Sequence, residues 1–441
     1  MADDRKIEGA LDLISSLPDE ILQHILSFVS TKVAIRTSLL SRSWRHVWCE
    51  VPSLSLEVEK LTTAASINET LTRYTAPKTK SFQLVIKPMM MNIPYIDRWI
   101  KFAMSHSLEN LSLEFPRPYY QEYKLPDFFY NSCSFKQLNI TLSSYRTMVP
   151  KCTVSWTSLQ KLSLSCYSLS DESMAKILSG CPVLENLTLS NCDELKLIDL
   201  SKSLRLKTLQ VNCGMTATQI VAPHIHFLRL VNPQSSYTLV DVASLTEAEL
   251  EISFFDSHIK TDFPQLQVKV LEMLYKLQNA DKLTLGSNFI QIISLAEILG
   301  VPFPMLKIKS LTFDTKTCQY VIPGIERLLQ NSPDLEKLTV RGRTRFHIPV
   351  EIPDMYLELQ GLNVNKWSRA KNRASWAKHR KDAKLEHVAS LVELMLKNTE
   401  KLDKMVLLLD GRYLNFKIED LTATLSHHNN VTIVLSCTKK K

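Results

Sequence analysis

The spacing apolar-x-x-apolar-x-apolar returns ten times along this chain, and no other feature restricts its fold so strongly. It begins at Leu108-Leu111-Leu113 and Phe135-Leu138-Ile140, and continues at Leu159-Leu162-Leu164, Leu184-Leu187-Leu189 and Leu206-Leu209-Val211. Five more follow at Ile225-Leu228-Leu230, Leu245-Ala248-Leu250, Ala280-Leu283-Leu285, Ile308-Leu311-Phe313 and Leu335-Leu338-Val340. Most starts lie 19 to 28 residues apart, and the longer gap from Leu245 to Ala280 predicts an insertion. Side chains alternate across a strand, so the second and third apolar residues point into a coil while the residues between them face out. One such coil cannot cover its own apolar face. Stacked neighbours cover it, and the expected product is a curved solenoid.

The clearest unit runs from Leu178 to Cys192, where a helix is expected to end at Gly180, Pro182 blocks its continuation and a strand begins. The same helix-then-strand order recurs from Ile325 to Leu335. Near the C-terminus Val388, Leu391, Val392, Met395 and Leu396 form a helical stripe, followed by the strand pattern Leu402-Met405-Leu407, a helix over 418–425 and a last strand over 431–435. A solenoid needs an atypical final unit over its open end, so residues 383–437 read as a cap.

Ahead of the repeats, Pro18 suits the first turn of a helix, and Asp19 and Glu20 suit the positive end of its dipole. Ile21, Leu22, Ile25, Leu26 and Val29 recur at helical spacing, and a second apolar series follows at Val33, Thr37, Leu40, Trp44 and Trp48, with Ser41 placed to cap a new turn. Two or three short helices in some forty residues bury little surface, and two tryptophans exceed what their own core needs. Part of this apolar surface is therefore expected to belong to a partner.

The segments Leu17-Pro18-Asp19-Glu20-Ile21-Leu22 and Arg36-Thr37-Ser38-Leu39-Leu40-Ser41-Arg42-Ser43-Trp44-Arg45, with Trp48, resemble the F-box of plant F-box proteins. The unit ending at Cys192 is similar to the cysteine-containing leucine-rich repeats of such proteins, and residues 391–409 are similar to the FBD tail found behind them. This resemblance implies docking to a Skp-type adaptor, and through it to a cullin scaffold, by Leu17, Pro18, Ile21, Leu22, Ile25, Leu40, Ser41, Trp44 and Trp48. It also implies capture of a target protein on the concave repeat face, where Ser163, Ser165, Thr188, Ser190, Gln210, Arg229, Thr312 and Arg341 occupy outward strand positions.

Charge does not point to nucleic acid once it is located. Lys366, Arg369, Lys371, Arg373, Lys378, Arg380, Lys381 and Lys384 stand against the single acid Asp382, so this segment accounts for +7 of the formal +8. A solvated insertion is the expected reading, with a nuclear-import signal or an acidic partner as the alternative, and Trp367 and Trp376 keep that question open. No stretch approaches the roughly 20 apolar residues of a membrane span. Nine cysteines without a Cys-x-x-Cys pair fit reduced thiols of the cytoplasm or nucleus.

Recognisable catalytic chemistry is missing from the sequence. It contains no phosphate-cradling glycine loop and no G-x-S-x-G elbow, and Cys181 and Cys192 read as core thiols. His427 and His428 are adjacent, which is not a metal-ligand spacing. No cofactor, metal, nucleic acid or membrane partner is expected. The chain thus reads as α/β: an F-box at 11–50, a linker and first irregular repeat at 51–107, leucine-rich repeats at 108–345, a basic insertion or linker at 346–382 and a cap at 383–437. The function implied is the non-catalytic substrate receptor of an SCF-type ubiquitin ligase, with a repeat scaffold lacking any ligase role as the alternative.

Overall fold

A computed structural model describes residues 14–59, 61–87, 95–115, 123–142, 148–212, 218–232, 237–252, 263–298, 300–314, 321–342, 385–410, 416–425 and 431–438. The basic insertion with Trp367 and Trp376, and His427 and His428, lie outside these residues. The chain divides into two compact units, residues 1–184 and 185–441.

The first unit opens with α1 (Asp19–Leu26) and α2 (Thr31–Thr37), then the 3-10 turns Ser43–Arg45 and Val47–Glu50. Pro18 stands just before α1, and its carbonyl accepts the N–H groups of Ile21 and Leu22 at 3.0 and 3.1 Å. The two apolar series do not become two faces of two helices. Leu22, Leu26, Ala34, Trp44, Val47, Trp48, Cys49 and Val51 close on one another as a small core, whereas Val33 and Leu40 point out. Ser41 caps no turn; its hydroxyl lies 2.7 Å from that of Ser43.

Five parallel strands follow in the order β1 (Ser53–Val58), β2 (Ser81–Ile86), β3 (Asn110–Phe115), β4 (Gln137–Leu142) and β5 (Lys161–Cys166). The ladder sets Leu54, Phe82, Leu111, Leu138 and Leu162 side by side, all buried. Each such side chain contributes about 1.5–3 kcal/mol through removal from water. The span 51–107, expected as a linker with one irregular repeat, thus holds two in-register strands. Thr79 fills the leading apolar position of β2, which hides that repeat from a pattern of hydrophobics.

On the other face of these coils α3 (Leu61–Arg73) and α4 (Ile96–Met104) meet where Trp99 Nε1 donates to Asn68 Oδ1 at 2.8 Å. Trp156 stacks on Tyr130 with ring centroids 5.9 Å apart, and its Nε1 donates to the Phe129 carbonyl. Helix α5 (Asp171–Ser179) starts at Ser170, whose hydroxyl accepts the Ser173 amide, and ends at Gly180. Gly180 is not left-handed, with φ −85. Its lack of a side chain matters because a Cβ would run into the Val154 carbonyl.

The second unit holds nine parallel strands in the order β6 (Asn186–Ser190), β8 (Thr208–Asn212), β10 (Phe227–Asn232), β12 (Glu247–Ile252), β13 (Lys282–Gly286), β14 (Ser310–Asp314), β15 (Lys337–Arg341), β16 (Lys404–Asp410) and β17 (Thr432–Thr438). Short strands β7 (Leu197–Asp199), β9 (Thr218–Val221) and β11 (Tyr237–Asp241) form a second sheet. The long gap after Leu245 holds α6 (Phe263–Lys276), and α7 (Ser287–Ile298) and α8 (Ile322–Gln330) precede the next strands. The C-terminal region supplies α9 (Leu385–Lys397), β16, α10 (Ile418–Leu425) and β17, matching the expected helix and strand order. All ten strand patterns read from the sequence fall on strands with their second and third residues buried.

Candidate functional site

Two surfaces stand out, the outer side of the N-terminal helices and the outward strand positions of the repeats. Helix α1 has apolar side chains on two faces because its sequence is apolar at four- and one-residue steps. Leu22 (1% exposed) and Leu26 turn inward onto Trp44 (8%) and Trp48 (4%). Ile21 (47%) and Ile25, four residues apart and so on one face of the helix, are exposed, as is Leu17 just ahead of it. Phe28, Val29, Val33, Leu39 and Leu40 (75%) add to them. Nine of the twenty exposed large apolar side chains among the described residues lie between Ile14 and Leu40. So dense a cluster in a short segment is the mark of an interaction surface rather than of ordinary surface leucines.

The nine residues expected to face an adaptor therefore separate into two groups. Leu17, Pro18, Ile21, Ile25 and Leu40 lie on the outside. Leu22, Trp44 and Trp48 belong to the module's own core, and Ser41 is polar support for it. Trp44 Nε1 donates to Ser15 Oγ at 2.8 Å, and Ser15 Oγ lies 3.4 Å from Ser41 Oγ, so the indole is anchored from within. The surplus of tryptophan noted in the sequence is absorbed by a core that also takes in Val47, Cys49 and Val51 from the second 3-10 turn and its end. Phe28 and Leu39, at least as exposed as Leu40, were missed because neither fits the helical stripe that guided the choice.

The outward face of the repeats carries the eight residues expected to meet a target. Ser163 and Ser165 are half-buried on β5 in the first unit. In the second unit Thr188, Gln210, Arg229 and Thr312 fall in one row with Glu249 and Thr284, in register from β6 to β14, while Ser190 and Arg341 sit two positions further along their strands. Three acids in this face were not anticipated. Arg229 Nε lies 3.3 Å from Glu249 Oε1, Asp314 is in register with Arg341, and Glu251 reaches across so that a Cβ at Gly286 would collide with its carboxylate. Burial pushes the Glu251 carboxyl up to about 8, Asp314 and Glu249 push the same way, and Arg229 opposes them. The alternation Glu247-Ala-Glu249-Leu-Glu251 was the available signal, since every second residue of an inward-leucine strand must face out.

Chemistry beyond binding finds no support in the described residues. No group of three or more His, Cys, Asp or Glu side chains could hold a metal ion there. Cys181 is buried, with its thiol pushed up to about 12 by burial, which suppresses the nucleophilic thiolate. Among the described residues no helix is long and apolar enough to cross a membrane.

Comparison with known proteins matches these two surfaces to two family models. Residues 14–56 match the F-box domain, and residues 70–407 match the At1g61320/AtMIF1 LRR domain. An Arabidopsis thaliana protein named for an F-box and leucine-rich repeats, At3g18150, is 52% identical over 438 residues, 98% of this chain and 93% of its own length. The Arabidopsis thaliana F-box/LRR-repeat proteins At3g03360 and At5g02910 are 44% and 45% identical, and the alignments span 99% and 97% of this chain and 93% and 95% of theirs.

Proposed function

Since this chain belongs to the F-box/LRR-repeat family, a family of protein-interaction modules, we propose that it is the substrate-recognition subunit of an SCF-type ubiquitin ligase. The exposed face of Leu17, Ile21 and Ile25, with Phe28 and Leu40, docks a Skp-type adaptor, and the adaptor carries the cullin. The outward strand residues hold a target protein for ubiquitination and degradation in the cytoplasm or nucleus. Catalysis belongs to other subunits, and this chain supplies position.

The observation that carries the reading is the two-faced α1. One face packs a complete core, so the module needs no partner to bury Trp44 and Trp48, yet the opposite face leaves large aliphatic groups in water. A fold retains such a face only at a cost in solubility unless something covers it. The experiment is co-expression of the full chain with a plant Skp-type adaptor. A stable complex that is lost in Ile21→Asp supports the reading. A folded chain with no measurable association overturns it.

A further inference from the structure

Strand β1 is the first of its sheet, and its outer side is met by a helix of the N-terminal module rather than by another strand. The Ser81 amide donates to the Pro52 carbonyl and the Lys87 amide to the Val58 carbonyl, so the even positions of this run bond toward β2. With a two-residue period, Ser55 faces the other way. Its amide donates to Thr31 Oγ1 at 2.8 Å, and Thr31, the first residue of α2, is buried. One hydroxyl thus serves where a preceding strand would stand, and the edge is covered. The run from Cys49 to Pro52 is held as firmly. The Cys49 carbonyl accepts the amides of Thr75 and Ala76 at 2.9 and 3.1 Å, and the Pro52 carbonyl accepts those of Lys80 and Ser81 at 2.7 and 3.2 Å. Tyr74 donates its hydroxyl to the Val51 carbonyl at 2.7 Å and accepts that of Thr79 at 3.3 Å. Val51 itself belongs to the core around Trp44 and Trp48. Residues 47–58 therefore pass from module to sheet without a free linker.

This joint ties opening of the module to fraying of the first repeats. When α2 leaves, the Ser55 amide loses its acceptor, and when the run from Cys49 to Pro52 is released, the amides of Thr75, Ala76, Lys80 and Ser81 lose theirs. Groups that lose their partners together open together, as one cooperative unit. The same path continues into the outward face of the sheet. Ser55 Oγ donates to Gln83 Oε1 at 3.1 Å, and Gln83 Nε2 donates to Glu114 Oε1 at 3.0 Å. A ligand that binds only the closed module suppresses its opening by mass action. We propose that adaptor docking on α1 and α2 is energetically coupled to the order of the first repeats, with Thr31 and Tyr74 as the residues that transmit it. The identity of the ligand rests on the receptor reading above, whereas the joint does not depend on it. Coupling of this kind is reciprocal, so a target held by the ordered strand face tightens adaptor docking by the same factor. A receptor built in this way holds its target best when it is assembled.

Hydrogen exchange of the full chain reads the coupling, with the chain alone and with a plant Skp-type adaptor at about a hundred times its Kd. Docking is expected to slow the amides of Ser55, Thr75, Ala76, Lys80 and Ser81 at least about tenfold, toward the roughly hundredfold ceiling that mass action sets at that concentration. The double variant Thr31→Val, Tyr74→Phe keeps the exposed face of α1. It is expected to bind the adaptor like the parent and to gain the same protection in α1 and α2, while the slowing at Lys80 and Ser81 falls below about twofold. If the double variant does not fold, either single variant is expected to show a smaller loss of the same ratio. Bonds that were merely structural would lower protection in both states and leave the adaptor-induced ratio unchanged, which overturns the proposal. So does slowing confined to α1 and α2 in the parent. If no adaptor complex forms, the receptor reading fails and the joint is tested by itself. Trp44→Ala, which opens the core of the module, is then expected to speed exchange across β2 at least about tenfold. Protection of β2 that stays at the parent value while α1 and α2 lose theirs overturns the coupling.

Discussion

Gly324 donates its backbone N–H to Ser294 Oγ at 2.8 Å, and this bond fixes how closely α7 and α8 approach. Ser294 in turn donates to the Ile290 carbonyl at 3.0 Å, so one hydroxyl satisfies both helices inside a buried contact. A Cβ at position 324 would lie 2.6 Å from the Ile290 carbonyl oxygen and 2.7 Å from Ser294 Oγ. Gly324→Ala is therefore expected to destabilise the second unit by about 1–3 kcal/mol through overpacking. Ser294→Ala is expected to cost about 1–3 kcal/mol by stranding a buried amide. Urea unfolding with far-ultraviolet circular dichroism measures both, and a neutral Gly324→Ala would show that the helices can move apart freely.

The repeat core gives a contrast between adjacent residues. Leu189 is buried in the row with Val211, while its neighbour Ser190 faces out and is half-buried. Leu189→Asp places a charge among apolar side chains and is expected to unfold the adjoining coils, seen as lost protection in hydrogen exchange. Ser190→Asp is expected to change stability by less than about 0.5 kcal/mol.

The two-faced α1 separates folding from binding. Trp44→Ala empties a core site and removes the bond to Ser15, so it is expected to destabilise the N-terminal module by about 3–5 kcal/mol and to lose adaptor binding only as a consequence. Ile21→Asp and Leu40→Asp leave that core intact. They are expected to weaken adaptor binding by on the order of 2 kcal/mol or more with an unchanged melting profile. Calorimetric titration of each variant beside its thermal melt distinguishes the two classes.

Glu251 makes stability depend on pH in a definite direction. Its folded carboxyl titrates at about 8, above the unfolded value of about 4.3, so the folded chain keeps a proton that the unfolded chain releases. The unfolded state binds fewer protons across that window. This group's contribution is therefore fully present below the lower value, declines as pH rises, and levels off above the upper one. Glu251→Gln is expected to match the parent near pH 4 and to exceed it in melting temperature by a margin that grows up to pH 8. A constant margin would place the charge elsewhere.

The cap shows how far local pattern carries. The helix over 418–425 was readable because Ile418, Leu421 and Leu425 recur at helical spacing, and the strand after Leu402 because Leu402-Met405-Leu407 repeats the spacing of the other repeats. The last strand, expected over 431–435, runs over Thr432–Thr438, and its inward residues Ile433 and Leu435 are half-buried where Met405 and Leu407 on the strand before are fully buried. Whether an apolar residue finds a neighbour depends on what lies beyond it in space, and nothing in its own segment records that.

What the sequence by itself determined is the inward set of the repeats. The two-residue period leaves Leu187 and Leu189 no choice once a strand forms, since a one-residue slip would turn both into water. The tertiary structure alone decided which apolar residues of the N-terminal module are core and which are surface. Leu22 and Ile21, or Trp44 and Leu40, are equally apolar, and the 3-10 turns that carry Trp44 and Trp48 follow no helical stripe. Their assignment came from closure of a core around Ser15, Leu26, Ala34 and Val47, residues drawn from four separate segments whose packing only the folded chain brings together.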